Sequence, residues 1–135
     1  MGTQIFVNLP VKNLSRSIDF FSQLGYTFNK QFTDEKSTCM IVADDIFVML
    51  LVEDFFTTFT KKPIADTKNY NEAILCISIE SKFAVDEIVS KAVAAGASAS
   101  YEKQEESFMY GHGFQDLDGH LWEFIWMDMA AMPPK

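Results

Sequence analysis

Apolar and polar positions along the chain switch between two periods, and the switches mark its elements. Gln4-Ile5-Phe6-Val7-Asn8-Leu9 has the β-branched and aromatic make-up of a strand, expected to end at Pro10, which cannot donate to a ladder. Leu14, Ile18, Phe21 and Leu24 then recur at helical spacing, with Ser15, Arg16, Asp19 and Gln23 on the other faces. Asn13 or Ser15 is placed to cap this helix, and Gly25 lies where a C-terminal cap belongs. Tyr26 to Phe32, Ser37 to Val42 and Ile46 to Val52 read as three more strands. The regularity stops between Glu53 and Asn71, where Phe55, Phe56 and Phe59 suggest one helical turn before Lys61-Lys62-Pro63.

The pattern then restarts. Ala73 to Ile79 is a strand, and Val85, Ile88, Val89 and Ala92 form the stripe of a second helix that Gly96 ends. Ala99 to Glu106, Phe108 to Phe114 and His120 to Trp126 complete the strands, with Asp118-Gly119 as a tight hairpin turn before the last. Each half reads β-α-β-β-β, with Gly25 and Gly96 in equivalent places, so the chain looks like a diverged tandem repeat. The expectation is an α+β fold of two tandem βαβββ modules, residues 4–52 and 72–127, joined by a connector over 53–71 that is either a lid or a packed arm. Such modules bury apolar surface by pairing their sheets around a concave cleft, with one helix covering each convex face, and ligands favour such places.

Composition narrows the classes. At 135 residues, 48% hydrophobic and 22% charged, the chain suits one globular domain. A net charge of −8 opposes nucleic acid as a partner, because phosphate binding needs clustered Lys and Arg. No apolar run reaches the ~20 residues that span a bilayer, and Met1-Gly2-Thr3-Gln4 lacks a basic leader start, so the expectation is a cytoplasmic protein with no membrane partner. Cys39 and Cys76 lie apart in apolar runs and are expected to be two buried, reduced thiols.

The candidate chemistry gathers at the last hairpin. Alternation along the final strand puts Trp122, Phe124 and Trp126 on one side and Leu121, Glu123 and Ile125 on the other, so a single carboxylate stands in an apolar row. Left without a partner, a buried Glu123 would be a neutral acid or a poised base; the alternative is a satisfied structural acid. In Tyr110-Gly111-His112-Gly113-Phe114-Gln115 the interleaved glycines mark a bulge or a close approach, and His112 is placed to contact a ligand or to shuttle protons with Glu123, or is a surface imidazole. His120 is expected to be exposed. Asn8 shares strand parity with Phe6 and either meets a ligand or satisfies backbone at the strand end. Met40, Met49, Met109 and Met127 and the thirteen Phe are core residues or the walls of an apolar pocket.

Two stretches carry a resemblance. Val11-Lys12-Asn13-Leu14-Ser15-Arg16-Ser17-Ile18-Asp19-Phe20-Phe21 followed by Leu24-Gly25, and Asp116-Leu117-Asp118-Gly119-His120-Leu121-Trp122-Glu123-Phe124, resemble the vicinal oxygen chelate superfamily of glyoxalases, extradiol dioxygenases, fosfomycin-resistance and bleomycin-binding proteins. Within it the chain is similar to bacterial lactoylglutathione-lyase-related proteins. The resemblance implies a divalent metal held by two His, Glu or Gln ligands from each module, since polarising vicinal oxygens needs oxygen or imidazole donors and open coordination positions. It places those ligands on Phe6, Met49, Ile74 (to within a residue or two) and Glu123. Only Glu123 is a ligand type, so the expectation is the fold without its usual metal centre and with no cofactor.

Three functions follow from the resemblance and the residues together. The first is a metal-independent binder of a small apolar or amphipathic molecule, using Phe6, Asn8, Met49, Ile74, Gln115 and Glu123. The second is a glyoxalase-like lyase or isomerase with Glu123 as general base and His112 and Tyr110 assisting. The third is a metalloenzyme with an unfamiliar ligand set. The resemblance also implies a homodimer.

Overall fold

A computed structural model describes residues 2–99 and 102–134. The chain divides into two compact units, Met1–Asp66 and Thr67–Lys135.

In the first unit β1 (Ile5–Val11) leads into α1 (Leu14–Gln23), followed by β2 (Thr27–Asn29), β3 (Ser37–Ala43), β4 (Ile46–Val52) and the four-residue α2 (Glu53–Phe56). The sheet order is β1-β4-β3-β2, with β1 parallel to β4 and the other pairs antiparallel. Asn13 starts α1: its side chain accepts from the Arg16 N–H at 3.0 Å, one of the donors a helix start leaves unpaired. Gly25, at φ 101°, ends it in the left-handed conformation that costs glycine nothing. Register puts Leu9 and Val11 of β1, Val48 and Leu50 of β4 and Met40 of β3 on one face, where all are buried, and α1 packs on β3 and β4 with Leu14, Phe20 and Phe21 buried. Removing such side chains from water supplies most of the unit's stability.

Two strand limits differ from expectation. Pro10 does not end β1: it pairs with Leu51 and the strand runs on to Val11, which an edge strand allows because only one of its sides needs donors. The stretch from Tyr26 keeps only three strand residues, because Lys30–Phe32 turn into a 3₁₀ helix whose start the Asn29 side chain caps by accepting from the Gln31 N–H at 3.0 Å.

The second unit repeats the plan. It runs β5 (Ile74–Ser78), α3 (Lys82–Ala94), β6 (Ser98–Ala99), β7 (Gln104–Glu106), β8 (Met109–Gln115) and β9 (Leu121–Met127). The sheet order is β5-β9-β8-β6, with β7 also pairing β8 and β5 parallel to β9. Position for position this is the order of the first sheet, so the architecture is α+β with two tandem βαβββ modules. The Ser81 side chain caps α3 by accepting from the Ala84 N–H at 3.0 Å, and Gly96 at φ 116° follows its end. Val85, Val89 and Ala92 of α3 are buried, as are Phe114, Trp122 and Phe124 of the strands it packs on; Phe114 stacks on both Trp122 and Phe124, with ring centroids 6.4 and 5.7 Å away. The single strand expected over Ala99 to Glu106 is instead two short ones; residues 100 and 101 lie outside the described residues.

The last hairpin also differs. Asp118-Gly119 is not a two-residue turn: the flanking strands part at the Gln115–Leu121 pair and Asp116 to His120 form the loop. Within it the Gly119 N–H donates to the Asp116 carbonyl at 3.1 Å, a turn with Asp at its first position and Gly, at φ 90°, at its fourth. No helix among the described residues is long and apolar enough to cross a membrane.

Candidate functional site

In each unit the residues with chemistry lie on the sheet face opposite the one the helix covers. On the second sheet, Ile74 pairs with Leu121, Cys76 with Glu123 and Ser78 with Ile125, which sets these six side chains on one face by strand parity. Glu123 is half-buried there, in the middle of the apolar row. On its β8 side the facing residue is Gly113, and Gly111 faces Ile125, so the strand next to the carboxylate carries no side chains at those two places; Gln115, facing Leu121, is half-buried. A Cβ on Gly111 would come within 3.1 Å of Ile125 Cγ2, so the glycine admits its neighbour's side chain.

Glu123 has a specific neighbour in Cys76, whose thiol donates to its carboxylate. Burial of the sulfur, then this hydrogen bond, then the Glu123 charge push the Cys76 thiol up to about 11 from an ordinary 9.0. Both cysteines are free, but only Cys39 is buried; Cys76 is exposed, contrary to expectation, because β5 is an edge strand and parity turns Cys76 to the uncovered face. A protonated thiol beside a carboxylate is a weak nucleophile and a hydrogen-bond donor.

On the first sheet the corresponding pair is Asn8 and Met49. Asn8 Nδ2 donates to the Phe6 carbonyl at 3.2 Å, so its amide serves the backbone of its own strand. Phe6 is 47% exposed and stacks on Phe47, with ring centroids 4.8 Å apart and planes 14° off parallel, forming an aromatic platform beside Met49. The resemblance put ligand positions at Phe6 and Met49 in the first unit and at Ile74, to within a residue or two, and Glu123 in the second. The observed register sets Asn8 opposite Met49 and Cys76 opposite Glu123, with Phe6 and Ile74, 55% exposed, as apolar neighbours on the same faces.

Tyr110 and His112 do not join this face. Tyr110 pairs with Trp126 and His112 with Phe124, on the side packed by α3, whereas Glu123 points to the other side. Tyr110 is buried overall, and its hydroxyl donates to Asp86 Oδ1 of α3 at 2.6 Å. The β-sheet itself separates both residues from Glu123, which removes them as its proton-transfer partners. His120, expected at the surface, is 8% exposed in the hairpin loop.

Sequence reasoning passed over Asp116, the buried acid of this hairpin. Its Oδ1 accepts from the Asp118 and His120 N–H groups at 2.9 and 3.0 Å, and its Oδ2 from Trp122 Nε1 at 2.9 Å. Burial pushes its carboxyl up, opposed by the nearby His120 charge and by these three donors. The satisfied structural acid is therefore Asp116, and the available signal was its spacing from Trp122: the indole N–H of a buried Trp needs an acceptor.

Comparison with known proteins places this geometry. Residues 3–43 match the model of the bleomycin resistance protein-like N-terminal family. Among solved structures, hypothetical protein SA1046 from S. aureus is 25% identical, covers 93% of this chain and 94% of its own, and superposes with a TM-score of 0.79. A glyoxalase/bleomycin resistance protein/dioxygenase family enzyme from Burkholderia phytofirmans PsJN is 14% identical with a TM-score of 0.78, covering 93% of this chain and 99% of that one. TnmS3, an antibiotic binding protein from Streptomyces sp. CB03234, is 13% identical with a TM-score of 0.66, covering 94% and 97%. No curated protein matches the sequence. The fold is thus that of the glyoxalase, bleomycin resistance and dioxygenase proteins. The family match over residues 3–43 and this shared fold support the resemblance to the vicinal oxygen chelate superfamily.

That superfamily's divalent metal can be tested against the donors present. Asn8 and Met49 offer one amide oxygen and a thioether; Cys76 and Glu123 offer a protonated thiol and a carboxylate. Among the described residues no group of three or more His, Cys, Asp or Glu is placed to hold an ion. A hard or borderline cation that keeps open positions for substrate needs three or more oxygen or imidazole donors, and neither unit's pair fits it.

Proposed function

We propose that the protein binds a small apolar or amphipathic molecule, independently of a metal ion, on the uncovered sheet face of either unit just described. The observation that carries this reading is the Cys76–Glu123 pair. It sets one acceptor-only carboxylate, with a thiol donating to it, among Ile74, Leu121 and Ile125, and no second acid or imidazole of β5 or β9 shares that face. Apolar walls with one placed polar group suit retention and orientation of a ligand. The stacked Phe6–Phe47 platform supports the same reading, since aromatic rings with an accessible face favour planar apolar partners. The match to a bleomycin resistance protein-like model and the likeness to an antibiotic binding protein are consistent with it. The ligand's polar end is a hydrogen-bond donor directed at Glu123.

N-phenyl-1-naphthylamine, an apolar fluorophore with one N–H donor, provides the test. Its fluorescence should rise saturably with added protein, and Ile74→Asp, which puts a second charge beside Glu123, should weaken binding about tenfold or more. A flat titration, or equal affinity in Ile74→Asp, overturns the proposal. Turnover of a hemithioacetal that disappears in Glu123→Gln would put catalysis in place of simple binding.

A further inference from the structure

We infer that the second unit carries a binding site for a soft monovalent cation of the Cu(I) or Ag(I) type where β9 ends, built from the thioethers of Met109, Met127, Met129 and Met132. Four of the chain's seven methionines fall in this corner. Register makes Met109 and Met127 direct partners across β8 and β9. The next pair outward is hydrogen-bonded, the Asp128 N–H donating to the Phe108 carbonyl at 2.7 Å. Met109 and Met127 are therefore a non-hydrogen-bonded pair, the kind whose side chains approach most closely, with Cα atoms about 4.5 Å apart. Asp128 keeps extended backbone, φ −103° and ψ 96°, so by parity Met129 follows on the side of Met127. A 3₁₀ turn then runs over Met129–Ala131, and the Met132 N–H donates to the Met129 carbonyl at 3.4 Å. Residues three apart in such a turn eclipse, which sets Met132 on the side of Met129.

The chemistry of these donors selects the ion. Met127, Met129 and Met132 are 38%, 66% and 42% exposed and Met109 is half-buried, so the four side chains are reachable from solvent and not locked in the core. A thioether is a neutral, polarizable ligand with no proton to lose, which suits Cu(I) and its analogue Ag(I) and ill suits divalent cations that take oxygen or imidazole donors. Four of them supply a full ligand set without any acid or imidazole. Charge favours a cation there: Glu106 faces Met109 across the β7–β8 pair, and the whole chain carries −8. Met127 lies four residues beyond Glu123 on β9, ~13 Å along a strand that rises ~3.3 Å per residue. The site shares no residue with the Cys76–Glu123 pair, so it and the proposed function stand or fall separately.

Ag(I), the air-stable member of the class, is the probe, read by NMR of isotope-labelled methionine methyl groups in the full chain carrying Cys76→Ser, which removes the exposed competing thiol. Ag(I) should shift the methyl signals of Met109, Met127, Met129 and Met132 saturably and leave Met40, which is fully buried, unmoved. Zn²⁺ at the same concentration should shift none of them. Met127→Leu together with Met129→Leu keeps the apolar volume but removes two sulfurs. It should weaken Ag(I) binding about tenfold or more, since losing even a residue that supports a metal ligand costs that much. Absence of saturable shifts at the four methionines, Ag(I) affinity unaltered by the two leucines, or the same shifts with Zn²⁺ would each overturn the assignment.

Discussion

At Cys76 a local hydrogen bond has a measurable chemical consequence. A thiol pushed up to about 11 holds roughly 100-fold less thiolate at neutral pH than one at 9.0. Although exposed, Cys76 should therefore react with iodoacetamide at pH 8 far more slowly than free cysteine. Glu123→Gln removes the negative charge but not the burial, which is the larger cause, so alkylation should accelerate several-fold without reaching the rate of a free thiol. A rate unchanged by Glu123→Gln would deny the contact. The linkage has a definite sign: the folded state prefers the neutral thiol, so this contribution to stability is complete below pH 9 and is lost as pH climbs through about 11. The Cys76–Glu123 pairing was hidden in the sequence because it depends on the offset between β5 and β9, strands forty-odd residues apart, and counting along the chain located that place only to within a residue or two of Ile74.

Most elements were legible, and so were the glycines that end both long helices, because period and glycine position carry that information locally. What was not legible was register. A two-residue turn at Asp118-Gly119 would pair Leu117 with His120 and hence His112 with Ile125, on the face of Glu123. The observed loop of Asp116 to His120 slides the hairpin by one residue, pairs His112 with Phe124, and moves both His112 and Tyr110 to the other face. The loop is held by Asp116 and by the Thr67 hydroxyl, which donates to the Asp118 carbonyl at 2.6 Å, and neither partner is evident from local pattern. The three positive-φ glycines that close elements form a graded test. Gly25→Ala meets no atom within 4 Å and should cost only backbone strain, about 1 kcal/mol. Gly96→Ala adds a contact at 3.1 Å to the flexible tip of Leu117 and should cost slightly more. Gly119→Ala places its Cβ 2.9 Å from the Thr67 backbone oxygen, which cannot yield without moving the loop, and should cost about 2–3 kcal/mol. Denaturant midpoints that fail to fall in this order would contradict the assigned loop geometry.

For the whole molecule, the tandem βαβββ plan was readable from the repeated order of elements, and both sheets keep the same strand order. The candidate site was only partly readable: Glu123, Met49 and Asn8 were candidates from the sequence, whereas Cys76, which faces Glu123, required the pairing of β5 with β9. The first unit carries an amide and a thioether at these places and the second a thiol and a carboxylate, and the central claim is that the protein binds its ligand without a metal. The direct measurement is the affinity for N-phenyl-1-naphthylamine in protein dialysed against EDTA, before and after stoichiometric Zn²⁺, Ni²⁺ or Mn²⁺ is restored. Affinity within twofold under all conditions is the predicted result; binding that vanishes with chelation and returns with one of the ions would contradict it.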